Sequence, residues 1–285
     1  ALWDMLPDGK RIGGAPANFA YHVSRFGIRS CIISGIGDDA LGQELIDNYK
    51  WKGIDCIAEV LPYPTGTVQV GITDAGIPHY EITDGVAWDN IPYTDRLAAI
   101  AKNTKAVCFG TLAQRNVVSR ATISRFIDTI PTENEPLIIF DVNFRQNFYD
   151  RNILISSLNR CNVLKINDEE LAEIRKMLNL PDVGDRDICR GLISSYNLGI
   201  LILTCGVNGS YVYTSSAEES YMPTPEVSVA DTVGAGDSFT ATFIANILKG
   251  KTIEESHKRA VEVSAYVCTR IGAMPLLPSE YTADV

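Results

Sequence analysis

The sequence predicts an α/β fold, with a mostly parallel central sheet flanked by helices on both faces and a small inserted β-sheet. Three observations carry that expectation. Short apolar runs recur at Cys31–Ser34, Ala106–Gly110, Leu137–Val142, Asn162–Ile166 and Ile200–Thr204. Runs apolar on both faces are what parallel strands covered from both sides require. Helix-length segments separate these runs, the alternation of a doubly wound domain. Between Cys56 and Trp88 the helical period disappears. Alternating runs at Thr67–Ile72 and His79–Thr83, joined by Asp74-Ala75-Gly76, read instead as a small antiparallel sheet. The expected organisation is one domain over 1–285, with an inserted sheet over 56–88 and part of 8–14 placed as a lid.

Taken in order, helices are expected at 15–26, 39–52, 94–102, 116–129, 168–178, 185–196, 237–249 and 254–271. The first follows Gly13-Gly14-Ala15-Pro16-Ala17-Asn18, runs through Phe19, Val23 and Phe26, and stops at Gly27. Two glycines let the backbone approach a small polar ligand, and Asn18 offers both a donor and an acceptor to hydroxyl groups. The plainer reading is a helix entry with a glycine hinge. The next strand leads into Gly35-Ile36-Gly37-Asp38-Asp39-Ala40-Leu41-Gly42. Near the other end, a β-like run at Glu226–Ala230 precedes Asp231-Thr232-Val233-Gly234-Ala235-Gly236-Asp237-Ser238. Phe239, Phe243, Ile244, Ile247 and Leu248 then mark one helical face, ended by Lys249-Gly250.

That last segment is the most informative of the chain. Gly234, Ala235 and Gly236 leave backbone N–H groups bare at a helix start, which attracts anions and phosphate above all. Asp237 beside them would repel a bound phosphate. Its cost is rational if the carboxylate is a base that deprotonates an attacking hydroxyl. The plainer reading is a tight connection with Asp237 as a cap or dipole partner.

Composition narrows the partners. A net charge of −10 argues against duplex nucleic acid and anionic membranes, both of which reward basic surfaces. Seven cysteines, odd in number and without a C-x-x-C pair, point to a reduced cytoplasmic compartment. The histidines at 22, 79 and 257 lack metal-ligand spacing. No apolar run reaches membrane-spanning length and no signal peptide is visible. The chain opens on Ala1 rather than Met, so a short leading segment, and a first strand with it, is expected to precede it.

These segments together resemble the PfkB family of carbohydrate kinases, of ribokinase-like fold. The resemblance runs from Leu2-Trp3-Asp4 and Gly13-Gly14-x-x-x-Asn18 through Gly35-x-Gly37-Asp38-Asp39-x-x-Gly42 and Asp141-Val142-Asn143-Phe144-Arg145. It continues through Asn167-x-x-Glu170 and Thr204-x-Gly206-x-x-Gly209 to Asp231-Thr232-x-Gly234-Ala235-Gly236-Asp237. It implies that Asp237 is the catalytic base and that the Gly234, Ala235 and Gly236 amides form the anion hole. Asn167 and Glu170 would organise Mg2+ and phosphate, largely through water. Thr204, Gly206 and Gly209 would hold ATP. Asp4, Gly13, Gly14 and Asn18 would bind sugar hydroxyls, with Arg145 a further contact to substrate or phosphate. Asp231 and the backbone around Arg270–Gly272 resemble a monovalent-cation (K+) site. Family members often form a homodimer through the lid.

The run Phe109-Gly110-Thr111-Leu112-Ala113-Gln114-Arg115, with Trp3-Asp4 and the Gly-Gly-Ala-Pro-Ala-Asn block, is most similar to the fructokinases of this family. It implies phosphorylation of D-fructose to fructose 6-phosphate. Ribose, adenosine and 2-keto-3-deoxygluconate are the alternatives. Tagatose 6-phosphate is disfavoured, because no second basic cluster is visible for a sugar already bearing phosphate. A dinucleotide site at Gly35-x-Gly37-x-x-Ala40 with Asp55 would place two aspartates against a pyrophosphate. A P-loop is excluded, since no G-x-x-x-x-G-K-[ST] occurs. A non-catalytic sugar sensor on the same fold has little reason to keep both Asp237 and the intact Gly234-Ala235-Gly236.

Overall fold

A computed structural model describes residues 1–72 and 78–282. The turn expected at Asp74-Ala75-Gly76 lies outside the described residues. In chain order the elements are β1 (Leu2–Leu6), β2 (Gly9–Gly13), α1 (Ala15–Arg25), β3 (Cys31–Gly37), α2 (Ala40–Trp51), β4 (Asp55–Leu61), β5 (Gly66–Ile72) and β6 (Pro78–Ile82). Next come α3 (Asp95–Ala101), β7 (Ala106–Phe109), α4 (Val117–Thr129), β8 (Leu137–Asp141), α5 (Arg151–Leu158), β9 (Val163–Asn167), α6 (Asp168–Leu178) and α7 (Asp185–Tyr196). The chain ends with β10 (Ile200–Thr204), β11 (Ser210–Thr214), β12 (Glu219–Met222), α8 (Ala235–Leu248), α9 (Ile253–Cys268) and α10 (Ser279–Thr282). Contacts divide them into two units. Unit 1 comprises Ala1–Pro92, Val227–Gly250 and Glu262–Val285; unit 2 comprises Tyr93–Glu226 and Lys251–Val261.

Unit 2 holds a six-stranded sheet in the order β12-β11-β10-β9-β8-β7. The pairs β7–β8, β8–β9 and β9–β10 are parallel, and β11 and β12 extend the sheet antiparallel. Ile138, Ile139 and Phe140 of β8, and Leu201, Ile202 and Leu203 of β10, are all buried without alternation. Such strands must be covered on both faces. The covering helices are identified by what they touch. Arg190 of α7 lies over the Tyr213 ring, 5.3 Å from its centroid. On the opposite face His257 of α9 is pinned between Ser210 Oγ (2.7 Å) and Ser220 Oγ (2.8 Å). Burial lowers the pKa of His257 to about 4, so the imidazole is neutral in the fold.

Unit 1 contains a four-stranded sheet, β2-β1-β5-β6, and a separate parallel pair, β3–β4. Its core gathers Trp3, Tyr21, Ile36, Leu45 and Tyr49 around α1 and α2. Asp39 caps α2 by accepting the Gly42 N–H (2.8 Å), and its other oxygen accepts the Thr65 N–H (2.8 Å). These bonds occupy the Gly35–Gly42 turn with its own carboxylate, which leaves no place there for a pyrophosphate.

Several expectations are corrected. Cys31–Ser34 does not join the large sheet: as part of β3 it pairs with β4, so the Cys56–Leu61 stretch belongs to that pair and not to the small sheet. The small sheet is mixed rather than antiparallel, because β1 pairs parallel with β5. Glu226–Ala230 is not a strand; the N–H groups of Ala230 and Asp231 instead share the Cys268 carbonyl (2.8 and 3.2 Å). Residue alternation shows which face a strand buries but not which strand lies beside it. The eight-residue α5, capped by Asp150 through the Ile153 N–H (2.8 Å), and the strands β11 and β12 were not expected. No helix among the described residues is long and apolar enough to cross a membrane.

Candidate active site

In unit 1 the first turn of α8 carries Asp237 and the amides expected to take part in the reaction. Phe239, Phe243 and Ile244 are buried, and so are Ser238, Thr240 and Thr242, so α8 is enclosed almost all round. Enclosure fixes its N-terminus. Gly234 precedes the helix at φ 79°, where a Cβ would run into Ala273, so glycine alone fits. The Ala235 N–H donates to Thr232 O (3.2 Å), and the first intrahelical bond runs from Ser238 N to Gly234 O (2.8 Å). The N–H groups of Gly236 and Asp237 precede that bond, at the positive end of the helix dipole. Of the three amides expected to form an anion hole, Ala235's is already engaged within the turn.

Asp237 is half-buried in this first turn. α1 packs against α8 and brings Asn18 Nδ2 to 2.7 Å from Asp237 Oδ2. An ionised carboxylate only accepts, so the Asn18 amide must turn its NH2 toward Asp237 and its carbonyl oxygen away. That oxygen, Asn18 Oδ1, is buried without a hydrogen-bond partner, on a side chain only 4% exposed. An unfilled buried acceptor costs about 1–3 kcal/mol. A hydroxyl donor arriving there would offset the cost.

Asp4 stands on β1 and Gly13 on β2, where Leu2 pairs with Gly13 and Asp4 with Arg11. The Asp4 carboxylate lies against Gly13, in the space a Cβ would take. Gly14 precedes α1, and its carbonyl accepts the Ala17 and Asn18 N–H groups (3.0 and 3.1 Å). Asp4, Gly13 and Gly14 thus meet at the entry to the helix that carries Asn18. The nearby cations are paired: Lys10 with Glu44, and Arg11 with Asp8 (2.8 Å). Asp231 accepts the Val233 N–H (3.0 Å) and the Gly272 N–H (2.9 Å), tying the segment before α8 to the Arg270–Gly272 turn.

In unit 2 the strand register gathers polar residues. Asp141 pairs with Lys165 and Asn167 with Thr204, so these four share one face at the C-terminal ends of β8, β9 and β10. Asn167 and Glu170 cap α6 reciprocally: Asn167 Oδ1 accepts the Glu170 N–H (2.7 Å) and Glu170 Oε2 accepts the Asn167 N–H (2.8 Å). Glu170 Oε1 also accepts the Phe144 N–H (3.2 Å). Burial raises the Glu170 pKa, and the Lys165 ammonium opposes that rise. Lys165 lies 3.7 Å from Asp141, with both side chains buried. Thr204 Oγ1 donates to Ile166 O (3.4 Å), and the Cys205 N–H donates to Gly209 O (2.8 Å), closing the turn that contains Gly206. Arg145 is exposed and donates to its neighbour's carbonyl, Phe144 O (3.2 Å). It belongs to unit 2, whereas Asp4, Gly13, Gly14 and Asn18 belong to unit 1.

Lys165 was missed from the sequence. Its signal was legible: a lysine inside an apolar strand, two residues before the Asn-x-x-Glu cap. The donor set suits a hard cation carried by a ligand better than a resident one. Among the described residues no group of three or more His, Cys, Asp and Glu side chains could hold a metal ion. Mg2+ characteristically takes one or two carboxylates and fills its shell with phosphate oxygens and water. Buried Glu170 and Asp141 fit that use; the Asp231 carboxylate, expected at a monovalent-cation site, has each oxygen accepting one backbone N–H.

Residues 8–280 match the pfkB family carbohydrate kinases. An ATP-dependent 6-phosphofructokinase of Thermoanaerobacterium thermosaccharolyticum is 29% identical over 277 residues, covering 94% of this chain and 82% of that protein. A fructokinase of Rhizobium leguminosarum bv. trifolii is 26% identical over 262 residues, covering 87% and 77%. The fold is similar to that of an uncharacterised sugar kinase of Pyrococcus horikoshii solved in complex with ATP, with a TM-score of 0.81, 27% identity, and 96% and 91% of the two chains covered. With its ribokinase-like α/β architecture and this match across nearly its whole length, the chain belongs to the pfkB family of carbohydrate kinases.

Proposed function

We propose that the protein transfers the γ-phosphate of ATP to a hydroxymethyl group of a small unphosphorylated sugar, D-fructose first among them, giving fructose 6-phosphate. The observation that carries this reading is the Asn18–Asp237 hydrogen bond (2.7 Å) at the start of α8, with Asn18 Oδ1 left as an unfilled acceptor beside it. Asp237 takes the proton of the attacking hydroxyl as the new O–P bond forms and the bond to the ADP leaving group breaks. Asn18 orients the carboxylate through one oxygen. Its own Oδ1, with the Asp4 carboxylate, accepts from sugar hydroxyls. The Gly236 and Asp237 amides, with that of Gly234, take the negative charge of the transferring phosphoryl, where each aimed donor contributes roughly 3–4 kcal/mol. A positioned base contributes about 10²–10⁴-fold.

Asn167, Thr204 and the Gly206–Gly209 turn are assigned to the nucleotide, with Lys165 adding positive charge to the same row. Bound Mg2+ would neutralise phosphate charge, with Glu170 and Asp141 acting on it through water. A K+ at the Asp231 turn would stiffen the anion hole. The β2-β1-β5-β6 sheet is assigned the part of a cover that keeps water from ATP.

The named relatives divide between fructose and a phosphorylated fructose as acceptor. In unit 1 Lys10 and Arg11, the cations on the strand beside Asp4, already pair with Glu44 and Asp8, which favours the neutral sugar. The test is ADP release with Mg-ATP across fructose, fructose 6-phosphate, ribose, adenosine and 2-keto-3-deoxygluconate. Selective turnover of fructose is expected. Preference for fructose 6-phosphate would overturn the acceptor, and release with none of them would overturn the activity.

A further inference from the structure

Unit 2 contains a cavity of about 610 Å³ outside the row formed by Asp141, Lys165, Asn167 and Thr204. It lies on the other face of the sheet. Leu203 alternates with Thr204 along β10, and the register sets Leu203 beside Tyr211 and Tyr211 beside Tyr221. We propose that this cavity binds a planar heteroaromatic amine of the nucleoside class, without phosphate.

Its floor is aromatic. The Tyr211 and Tyr213 rings are stacked, parallel to within 2° with 6.1 Å between centroids. The Tyr221 ring rises from this floor at 40°, 4.8 Å from Tyr211. Tyr213 is 4% exposed and Tyr221 is 51% exposed, so the platform runs from a buried base to an open lip. Two parallel rings and a third tilted against them suit stacking of a planar ring better than caging of a round cation.

The rim decides the ligand's charge. Arg186 and Arg190 both bind Glu219 (2.9 and 2.7 Å), and Arg175 binds Asp182 and Asp185 (2.9 and 3.4 Å). The cavity's own lining sets three carboxylates, Asp168, Asp185 and Glu219, against one guanidinium, Arg186, which is already in an ion pair. A phosphate would have to break one of those pairs and face the carboxylates. Asp168 and the Asn208 amide instead offer acceptors to ring amino groups. The volume falls within the usual range for small-molecule sites. Cys205 and Asn208 flank Gly206, so an occupant would touch the same turn as the nucleotide on the opposite face.

Calorimetric titration of adenosine and AMP into the full chain tests this, with Tyr221→Ala and Tyr211→Ala compared in parallel. Saturable adenosine binding is expected, weakened about 5–150-fold in each variant, the scale of one lost stacking partner. AMP is expected to bind more weakly than adenosine. The KM for ATP in the Tyr221→Ala protein should stay within about twofold, since Tyr221 has no part in turnover. No adenosine binding, or binding that both variants leave unchanged, overturns the site. AMP binding as tight as adenosine overturns the excluded-phosphate class.

Discussion

Replacing Asn18 by aspartate probes the proposed reactive pair with almost no change of volume. The amide nitrogen lies 2.7 Å from Asp237 Oδ2, so the variant would set two carboxylates in contact. Two like charges about 4 Å apart repel by roughly 4 kcal/mol at an effective dielectric near 20. At 1.36 kcal/mol per pKa unit, that raises the upper titration of the pair by about 3 units. From an ordinary aspartate value near 3.9, the pair would then release its second proton at about pH 7. Below that pH the two oxygens share a proton and the base is blocked. The profile of kcat/KM for sugar against pH should therefore gain a rising limb with an apparent pKa of about 7, belonging to the pair. Activity at pH 6 should fall about tenfold relative to pH 8, while ATP affinity stays level. A profile that follows the unsubstituted protein between pH 5 and 9, at full activity, would show that Asp237 is not the base or that Asn18 does not touch it.

Other outcomes follow from the same geometry. In Gly13→Ala a Cβ enters the space of the Asp4 carboxylate, so the KM for sugar should rise about 10–100-fold with little change for ATP, as steady-state kinetics would record. Gly234→Ala puts a side chain at φ 79° against Ala273; a stability loss of about 1–2 kcal/mol or more in urea and a marked fall in kcat are expected. His22 and His257 are fully buried, and burial lowers both pKa values from 6.5 to about 4. A depressed histidine stabilises the fold above its unfolded pKa, and that contribution is lost as pH falls. Urea midpoints should drop between pH 6.5 and 4 by an amount equivalent to about 3 kcal/mol for each histidine. His257→Gln should remove about half of that slope.

Much of this architecture was legible because each signal has a local cause. Gly234, Gly236 and Asp237 can be read as an anion-attracting helix start without knowing what packs nearby. Asn167 and Glu170 stand out in the sequence only through the family resemblance, and their reciprocal cap on α6 comes from the structure. Parallel strands such as β8 and β10 announce themselves by apolar runs that do not alternate. What stayed hidden depends on distant partners. Nothing in Cys31–Gly37 tells that it pairs with Asp55–Leu61 rather than with the large sheet. Val227 and Val229 alternate like a strand, yet this segment finds the Cys268 carbonyl instead of a neighbouring ladder. The Asn18–Asp237 contact spans 219 positions, and only the packing of α1 on α8 creates it. Lys165 could have been found, since a lysine in a buried strand needs a charged partner.

The most direct test is single-turnover and steady-state phosphorylation of fructose by the Asp237→Asn protein, with ATP affinity measured alongside. A fall in kcat of about 10²–10⁴-fold or more, with ATP binding and urea stability nearly unchanged, is predicted. Turnover close to that of the unsubstituted protein would contradict a carboxylate base at the head of α8.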